Sequence, residues 1–302
     1  KDGKKIAETT TDENGRYMFD NLPAGKYKVK FTLTEEQEKK YKFTKQNAGE
    51  DSAVDSDADE NGWTTDITLN EKNEQLTKAY EDQKVEASEG IDPTWDAGVI
   101  ELVDISITKQ WNDQDESARP DAITVQLFAN EEFMKDYEIT DEDQWTLLIS
   151  GLTKYDADGE AFDYTIKEVD VPEYRSKVEG SLKNGFDITN TRKTYAIGDY
   201  VWVDRNKDGI QDDNEEPLAD VKVELYNKDG KKIAETTTDE NGRYIFDELV
   251  SGDYKVKFTL TDEQAKKYKF TKQHAGDNAA VDSNADENGW TIDISLNDDN
   301  EY

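Results

Sequence analysis

Apolar and polar residues alternate with a period of two over most of this chain, the pattern of strands that bury one face and expose the other. Tyr254, Val256, Phe258 and Leu260 share one side of such a run, while Lys255, Lys257 and Thr259 share the other; Val221, Val223 and Leu225 repeat the arrangement. Turn chemistry separates the runs, in KDGK, DENGR and the glycines of LPAGKY and LVSGDY. The DENG tetrads at 12–15 and 239–242 read as hairpin turns. Helical stretches are confined to EEQEKKY at 35–41 and DEQAKKY at 262–268, each behind a threonine that can cap it. Short strands at this spacing predict an all-β protein built of tandem β-sandwich domains.

The chain also repeats itself. KDGKKIAETTTDENGRY at 1–17 recurs verbatim at 228–244, and the match continues without a gap at an offset of 227 as far as Glu74 and Glu301. So clean a repeat implies duplication of a whole folding unit. Residues 103–194 between the copies have different spacing, so three domains are expected, at 1–102, 103–194 and 195–302. The first copy has no counterpart of residues 195–227, and is expected to be weakly ordered or to borrow a strand for its open edge. The second stops at Tyr302, before any counterpart of QKVEASEGIDPTWDAGVIE at 83–101.

Charge changes the picture next. Of 302 residues, 37 are Lys or Arg and 71 are Asp or Glu, giving a net charge of −34 and a pI near 4.3. That balance argues against nucleic acid and anionic membrane surfaces as partners, because the dominant electrostatic term would be repulsive. Charged residues make up 36% of the chain and hydrophobic ones 34%, close to the disordered regime, but 6 Trp, 15 Tyr and 10 Phe supply folded cores. Cysteine is absent, so disulfides and thiolate chemistry are excluded and a secreted protein would need other staples. No apolar run approaches the roughly 20 residues that span a bilayer, and no signal-peptide pattern opens the chain.

One candidate staple is a metal. Asp204, Asn206, Asp208, Asp212 and Glu215 fall at positions 1, 3, 5, 9 and 12 of a calcium loop, with Gly209 at the sharp turn and Ile210 offering its carbonyl. An all-oxygen donor set without His or Cys selects Ca²⁺. Strand-like sequence flanks the loop where helices usually stand. A looser pattern, Asp282, Asn284, Asp286 and Asp293, recurs as Asp55, Asp57, Asp59 and Asp66, with its glycine two positions late. It is a weaker calcium candidate.

The other candidate is covalent. By parity Lys109 shares a face with Val103, Ile105, Ile107 and Trp111; Asn190 with Phe186 and Ile188; Glu168 with Tyr164 and Ile166. Three polar side chains are thus aimed into one core, where separate burial would cost several kcal/mol each. Burial favours the neutral forms of an amine and an acid. A neutral Glu168 can polarise the Asn190 carbonyl for attack by Lys109, with loss of ammonia and formation of an isopeptide amide. The alternative is a buried Lys–Glu ion pair with the asparagine hydrogen-bonded beside it.

Residues 103–194, with ITKQW, KEVDVPEY and the closing ITNT, resemble the collagen-adhesin B-type (Cna B-type) domain of Gram-positive surface proteins. The resemblance implies an autocatalytic isopeptide bond between Lys109 and Asn190 with Glu168 as its catalyst. Residues 195–302, with IGDYVWVDRNKDGIQDDNEEPLADVKVELY, resemble the B repeats of serine-aspartate repeat adhesins. That resemblance implies a transthyretin-like or Cna B-like, immunoglobulin-like sandwich holding several Ca²⁺ ions. The first strand of this unit, GDYVWVD, has no lysine at the Lys109 position, so the covalent bond is not carried over. The function expected is a rigid extracellular stalk, cell-wall anchored in the full protein, whose repeats contact one another and project a distal domain toward a host ligand. The alternative is that the repeats bind a host protein or glycan themselves, through aromatics such as Trp63, Trp145 and Trp290. An enzyme acting on an external substrate is not expected. The one histidine, His274, aligns with Asn47 in the other copy.

Overall fold

A computed structural model describes residues 3–48, 55–70, 94–114, 116–275, 277–278 and 280–300, so the part of the 83–101 motif before Thr94 lies outside the described residues. The chain forms two compact units, one made of 1–108, 124–167 and 179–187, the other of 109–123, 168–178 and 188–302.

In the second unit, strands Lys232–Thr237, Lys222–Asn227, Gly252–Thr259 and Ile294–Leu296 form one antiparallel sheet in that order. Strands Tyr195–Tyr200 and Arg243–Leu249 form a second, with Ile197 opposite Phe246. The alternation seen in the sequence sets which residues meet between them. Val221, Val223, Leu225 and Val256 are fully buried and share one core with Tyr195, Ile197, Tyr244 and Phe246 from the other sheet. Burial of each such side chain contributes about 1.5–3 kcal/mol, so the two layers make a sandwich. The DENG tetrad is a turn, as expected: Asp239 Oδ1 accepts the amides of Asn241 and Arg243. Thr261 caps the one-turn helix Asp262–Ala265 in a reciprocal box with Gln264. Beyond the last strand, Asp298 accepts two bonds from Lys193 Nζ, both at 2.9 Å, and one from the Tyr195 hydroxyl at 3.0 Å.

In the first unit, strand Ala122–Ala129 lies between Glu132–Thr140 and Tyr164–Glu168. The 14-residue strand Val99–Asn112 pairs with Thr146–Thr153, Ile105 opposite Ile149 and Ile107 opposite Leu147. Ile105, Val125 and Ile139 are fully buried. The first copy of the duplicated unit is thinner than the second. Residues 5–10 and 16–22, the counterparts of 232–237 and 243–249, form no strand, and Tyr17, Val29 and Phe31 are only half-buried. In the second copy Val221, Val223 and Leu225 supply the apolar wall against which the corresponding residues pack. The same copy pairs its strand Tyr41–Phe43 with Val99–Glu101.

Candidate functional site

Lys109, Glu168 and Asn190 come together inside the second unit. Strands Val99–Asn112, Tyr164–Glu168 and Gly185–Arg192 each deliver one of them by the two-residue alternation that buries their apolar neighbours. Lys109 Nζ lies 3.3 Å from Glu168 Oε1, and both side chains are 0% exposed. Asn190 Nδ2 donates to the same Oε1 at 3.1 Å. One carboxylate oxygen therefore holds the amine and the amide side by side. Glu168 Oε2 and Asn190 Oδ1 have no hydrogen-bond partner. Two orphaned buried acceptors are costly, at about 1–3 kcal/mol each.

Burial pushes the Lys109 amine down to about 8, against the opposing pull of Glu168. The neutral amine, the form that can act as a nucleophile, is therefore more populated than in an ordinary lysine. Nζ also sits 4.1 Å from the centroid of the Trp111 ring. Trp111 packs edge-on against Tyr174 at 4.9 Å, and the Tyr174 hydroxyl donates to Asp113 at 2.9 Å. Asp113 is held well below the usual carboxylate range, chiefly by hydrogen bonds from Arg119. Sequence parity singles out Trp111 beside Lys109, but nothing in the sequence links Tyr174, Asp113 and Arg119 to it, since they meet only through the fold.

The loop 204–215 uses its oxygens in three ways. Asn206 Nδ2 donates to Asp208 Oδ2 at 2.8 Å and to Asp212 Oδ2 at 2.9 Å, so these three residues converge on one point. Asp204 instead accepts from the Lys207 and Gly209 amides and from the Thr271 hydroxyl, which hold its carboxyl below the usual range against the effect of burial. Glu215 closes the loop by accepting from the Arg205 and Asp212 amides. Gly209 has φ +84, and a Cβ there would meet the Lys272 carbonyl at 2.5 Å. Ile210 forms a β-bridge with Asp282. Among the described residues no three His, Cys, Asp or Glu side chains stand in a metal-coordinating cluster. The donor chemistry of the convergent point still fits a hard cation. Two carboxylates and an amide that can turn its oxygen inward meet there, and an amide N–H₂ now bridges the two negative charges.

The members of the looser pattern have partners of their own. Asp286 Oδ1 accepts the amides of Asn288 and Trp290, and Asp293 lies 3.4 Å from Lys255 Nζ. Asn284 Nδ2 reaches Asp282 Oδ1 at 3.5 Å. In the other copy Asp59 holds the Asn61 and Trp63 amides, Asp66 lies 3.6 Å from Lys28 Nζ, Asp57 Oδ2 accepts the Asp96 amide, and Asp55 Oδ1 is buried. The aromatics considered for binding have neighbours of their own: Lys30 lies over Trp63 and Lys257 over Trp290. His274 Nδ1 is 3.9 Å from Asp282.

Comparison with known proteins places these features. The SdrD B-like domain model matches residues 1–99 and 195–301, and the Cna protein B-type domain model matches 105–191. The chain belongs to the SdrD B-like domain family. The two SdrD B-like matches are the two copies of the duplicated unit, and the Cna B-type match contains Lys109, Glu168 and Asn190. Serine-aspartate repeat-containing protein F of Staphylococcus epidermidis is 31% identical over all of this chain, which covers 17% of that protein. Serine-aspartate repeat-containing protein D of Staphylococcus aureus (strain Newman) is 31% identical over 99% of the chain, which covers 22% of it. The chain thus spans about a fifth of the length of these curated relatives. Among solved structures, a single B repeat unit of the collagen-binding surface protein of S. aureus is 25% identical, with 60% of this chain and 95% of that one covered at a TM-score of 0.28. Among the described residues no helix is long and apolar enough to cross a membrane.

Proposed function

We propose that this chain is a run of stalk modules from a Gram-positive surface adhesin, braced by an autocatalytic Lys109–Asn190 amide and by Ca²⁺ in the 204–215 loop. The observation that carries the reading is the placement of Lys109 Nζ and Asn190 Nδ2 on one oxygen of Glu168 at zero solvent exposure. The neutral amine of Lys109 attacks the Asn190 side-chain carbonyl carbon, and the C–N bond to Lys109 forms as the bond to Nδ2 breaks. Glu168 first lends its proton to the carbonyl oxygen, then carries one from the lysine nitrogen to the departing amide nitrogen. Ammonia leaves, the carbonyl oxygen returns its proton to Glu168 as the C=O bond re-forms, and Glu168 ends as it began, so no external oxidant or cofactor is consumed. The amide joins the first and last strands of the central domain, so tension entering at one can leave at the other without unzipping the core.

Calcium would be held by Asn206, Asp208 and Asp212, with Asp204, Glu215 and the Ile210 carbonyl available as the loop tightens. It would neutralise part of the acidic surface that otherwise repels itself. The relatives are named for their serine-aspartate repeats, and a location on the cell surface with a distal host-binding domain follows from that kinship as part of the proposal. Intact-protein mass tests the covalent part. The folded wild type should weigh one ammonia less than its sequence, and the full sequence mass would sink it.

A further inference from the structure

A lysine amine is hard to hold still, because it ends a long flexible stem whose ordering costs up to about 2 kcal/mol. Lys109 is nevertheless held from three directions. Its Nζ lies 3.3 Å from Glu168 Oε1, donates to the Gln110 carbonyl at 3.4 Å and stands 4.1 Å from the centroid of the Trp111 ring. Glu168 is the acid of the amide-forming step, and the bond to Gln110 is long. The indole is the remaining wall. Trp111 is half-buried, whereas the side chains of Lys109 and Glu168 have no exposure at all. Of the two side chains that hold the amine, Trp111 is therefore the one that reaches the surface.

That wall is itself clamped. Its ring meets Tyr174 edge-on at 4.9 Å with an interplanar angle of 70°. The buried Tyr174 donates its hydroxyl to Asp113 Oδ2 at 2.9 Å, and the Asp113 side chain is only 1% exposed. Arg119 grips the same carboxylate, with Nε on Oδ2 at 3.0 Å and Nη2 on Oδ1 at 2.7 Å. Its guanidinium carbon lies 5.8 Å from the Trp111 centroid, and that of Arg192 lies 5.2 Å from the Tyr174 centroid. A two-pronged arginine bond to a carboxylate is directional as well as strong. Arg119 thus fixes Asp113, Asp113 fixes the tyrosine hydroxyl, and Tyr174 fixes the tilt of the indole over the amine.

We propose that Trp111 is a positioning residue for the joining of Lys109 to Asn190, a wall held by the Tyr174–Asp113–Arg119 chain that keeps the lysine amine on Glu168 until it reacts. The inference rests on the amide proposed above. Leucine at this position would remove two separate contributions. One is the wall, without which a neutral amine is less often aligned for attack. The other is electrostatic, because the face of an indole attracts an ammonium. The groups around the amine are Glu168 on its own strand, Asp113 and Arg119 beyond Trp111, and Tyr174 with Arg192 above it. Burial favours the neutral amine, while Glu168 and Asp113 favour the charged one. The indole adds to the second side, so its loss moves the protonation of Lys109 toward acid. A residue that only fills space would contribute neither effect.

The test is a rate. The full chain, collected unfolded in urea before it has joined, is diluted into buffers from about pH 5 to about pH 9, quenched in acid at intervals and weighed for loss of ammonia, while circular dichroism follows folding. At the alkaline plateau Trp111→Leu should join about ten-fold more slowly than the wild type, and the midpoint of its pH–rate profile should lie on the acid side. Trp111→Phe keeps a ring face and should recover most of the rate and the wild-type midpoint. Tyr174→Phe keeps both rings but cuts the bond to Asp113, so it should slow joining by a smaller factor with the midpoint unmoved. Joining of Trp111→Leu at the wild-type rate and midpoint overturns the inference and leaves the amide standing, as does equal slowing by leucine and phenylalanine. If the leucine variant does not fold, a wild-type rate in Tyr174→Phe overturns it instead. A wild type that keeps its full sequence mass overturns the amide itself.

Discussion

Glu168→Gln is the substitution that separates a covalent brace from a buried ion pair. Glutamine keeps the size of the side chain but cannot carry the proton that the amide-forming step needs, so Lys109 and Asn190 should remain unjoined. The variant should weigh one ammonia more than the wild type after the mass difference between Glu and Gln is subtracted. Stability should fall as well. The bond closes a loop from residue 109 to residue 190, and the chain-entropy relation used for disulfides gives about 4.5 kcal/mol for a loop of that length. For a domain of this size that corresponds to a melting temperature roughly 20–35 °C lower, read by calorimetry at neutral pH.

The variant should also respond to pH in a defined direction. Burial depresses the Lys109 amine from 10.5 to about 8 even with Glu168 present, and loss of that carboxylate lowers it further. Between the depressed folded value and 10.5 the unfolded chain binds the extra proton. The variant should therefore gain stability as pH rises through this window and carry the full cost of a buried charge below it. The joined wild type has no amine to titrate and should lack this response. Equal masses for wild type and variant after that correction, or melting temperatures within a few degrees of each other, would refute the reasoning.

Chelation of calcium should speed hydrogen exchange in 195–302 while leaving the amides around Lys109 and Asn190 unchanged, and Asp208→Ala should reproduce much of that effect with calcium present; unaltered exchange in 195–302 would reduce the loop to a turn. Gly98→Val should loosen the pairing of 40–44 with 98–102 by about 1–3 kcal/mol through overpacking against Thr44, seen as faster exchange at residues 41–43. Asp298 is held below the usual carboxylate range, first by its bonds from Lys193 and then by the Tyr195 hydroxyl. Its contribution is present above the ordinary aspartate range and is lost as pH falls through the lowered value, so the Tyr195 amide should become less protected in acid, and Asp298→Asn should abolish that dependence. Filter binding at physiological salt should detect no tight complex with nucleic acid.

Much of this protein is fixed by local rules. A strand has a period of two, so the order of apolar residues in 105–111, 164–168 and 186–190 alone determines that Lys109, Glu168 and Asn190 face a core. Turns are equally local, and Asp239 takes its two amides in DENG with no help from distant residues. Three things were left to the tertiary structure. Which oxygen joins the amine to the amide depends on strands far apart in the chain, and so does the edge-on contact of Trp111 with Tyr174. The hand-over of strand Val99–Asn112 from Tyr41–Phe43 to Thr146–Thr153 is likewise invisible in the sequence, since strand pairing is a choice among edges that all share the same alternation. Spacing decides which way a side chain points; only the assembled sheet decides what it meets.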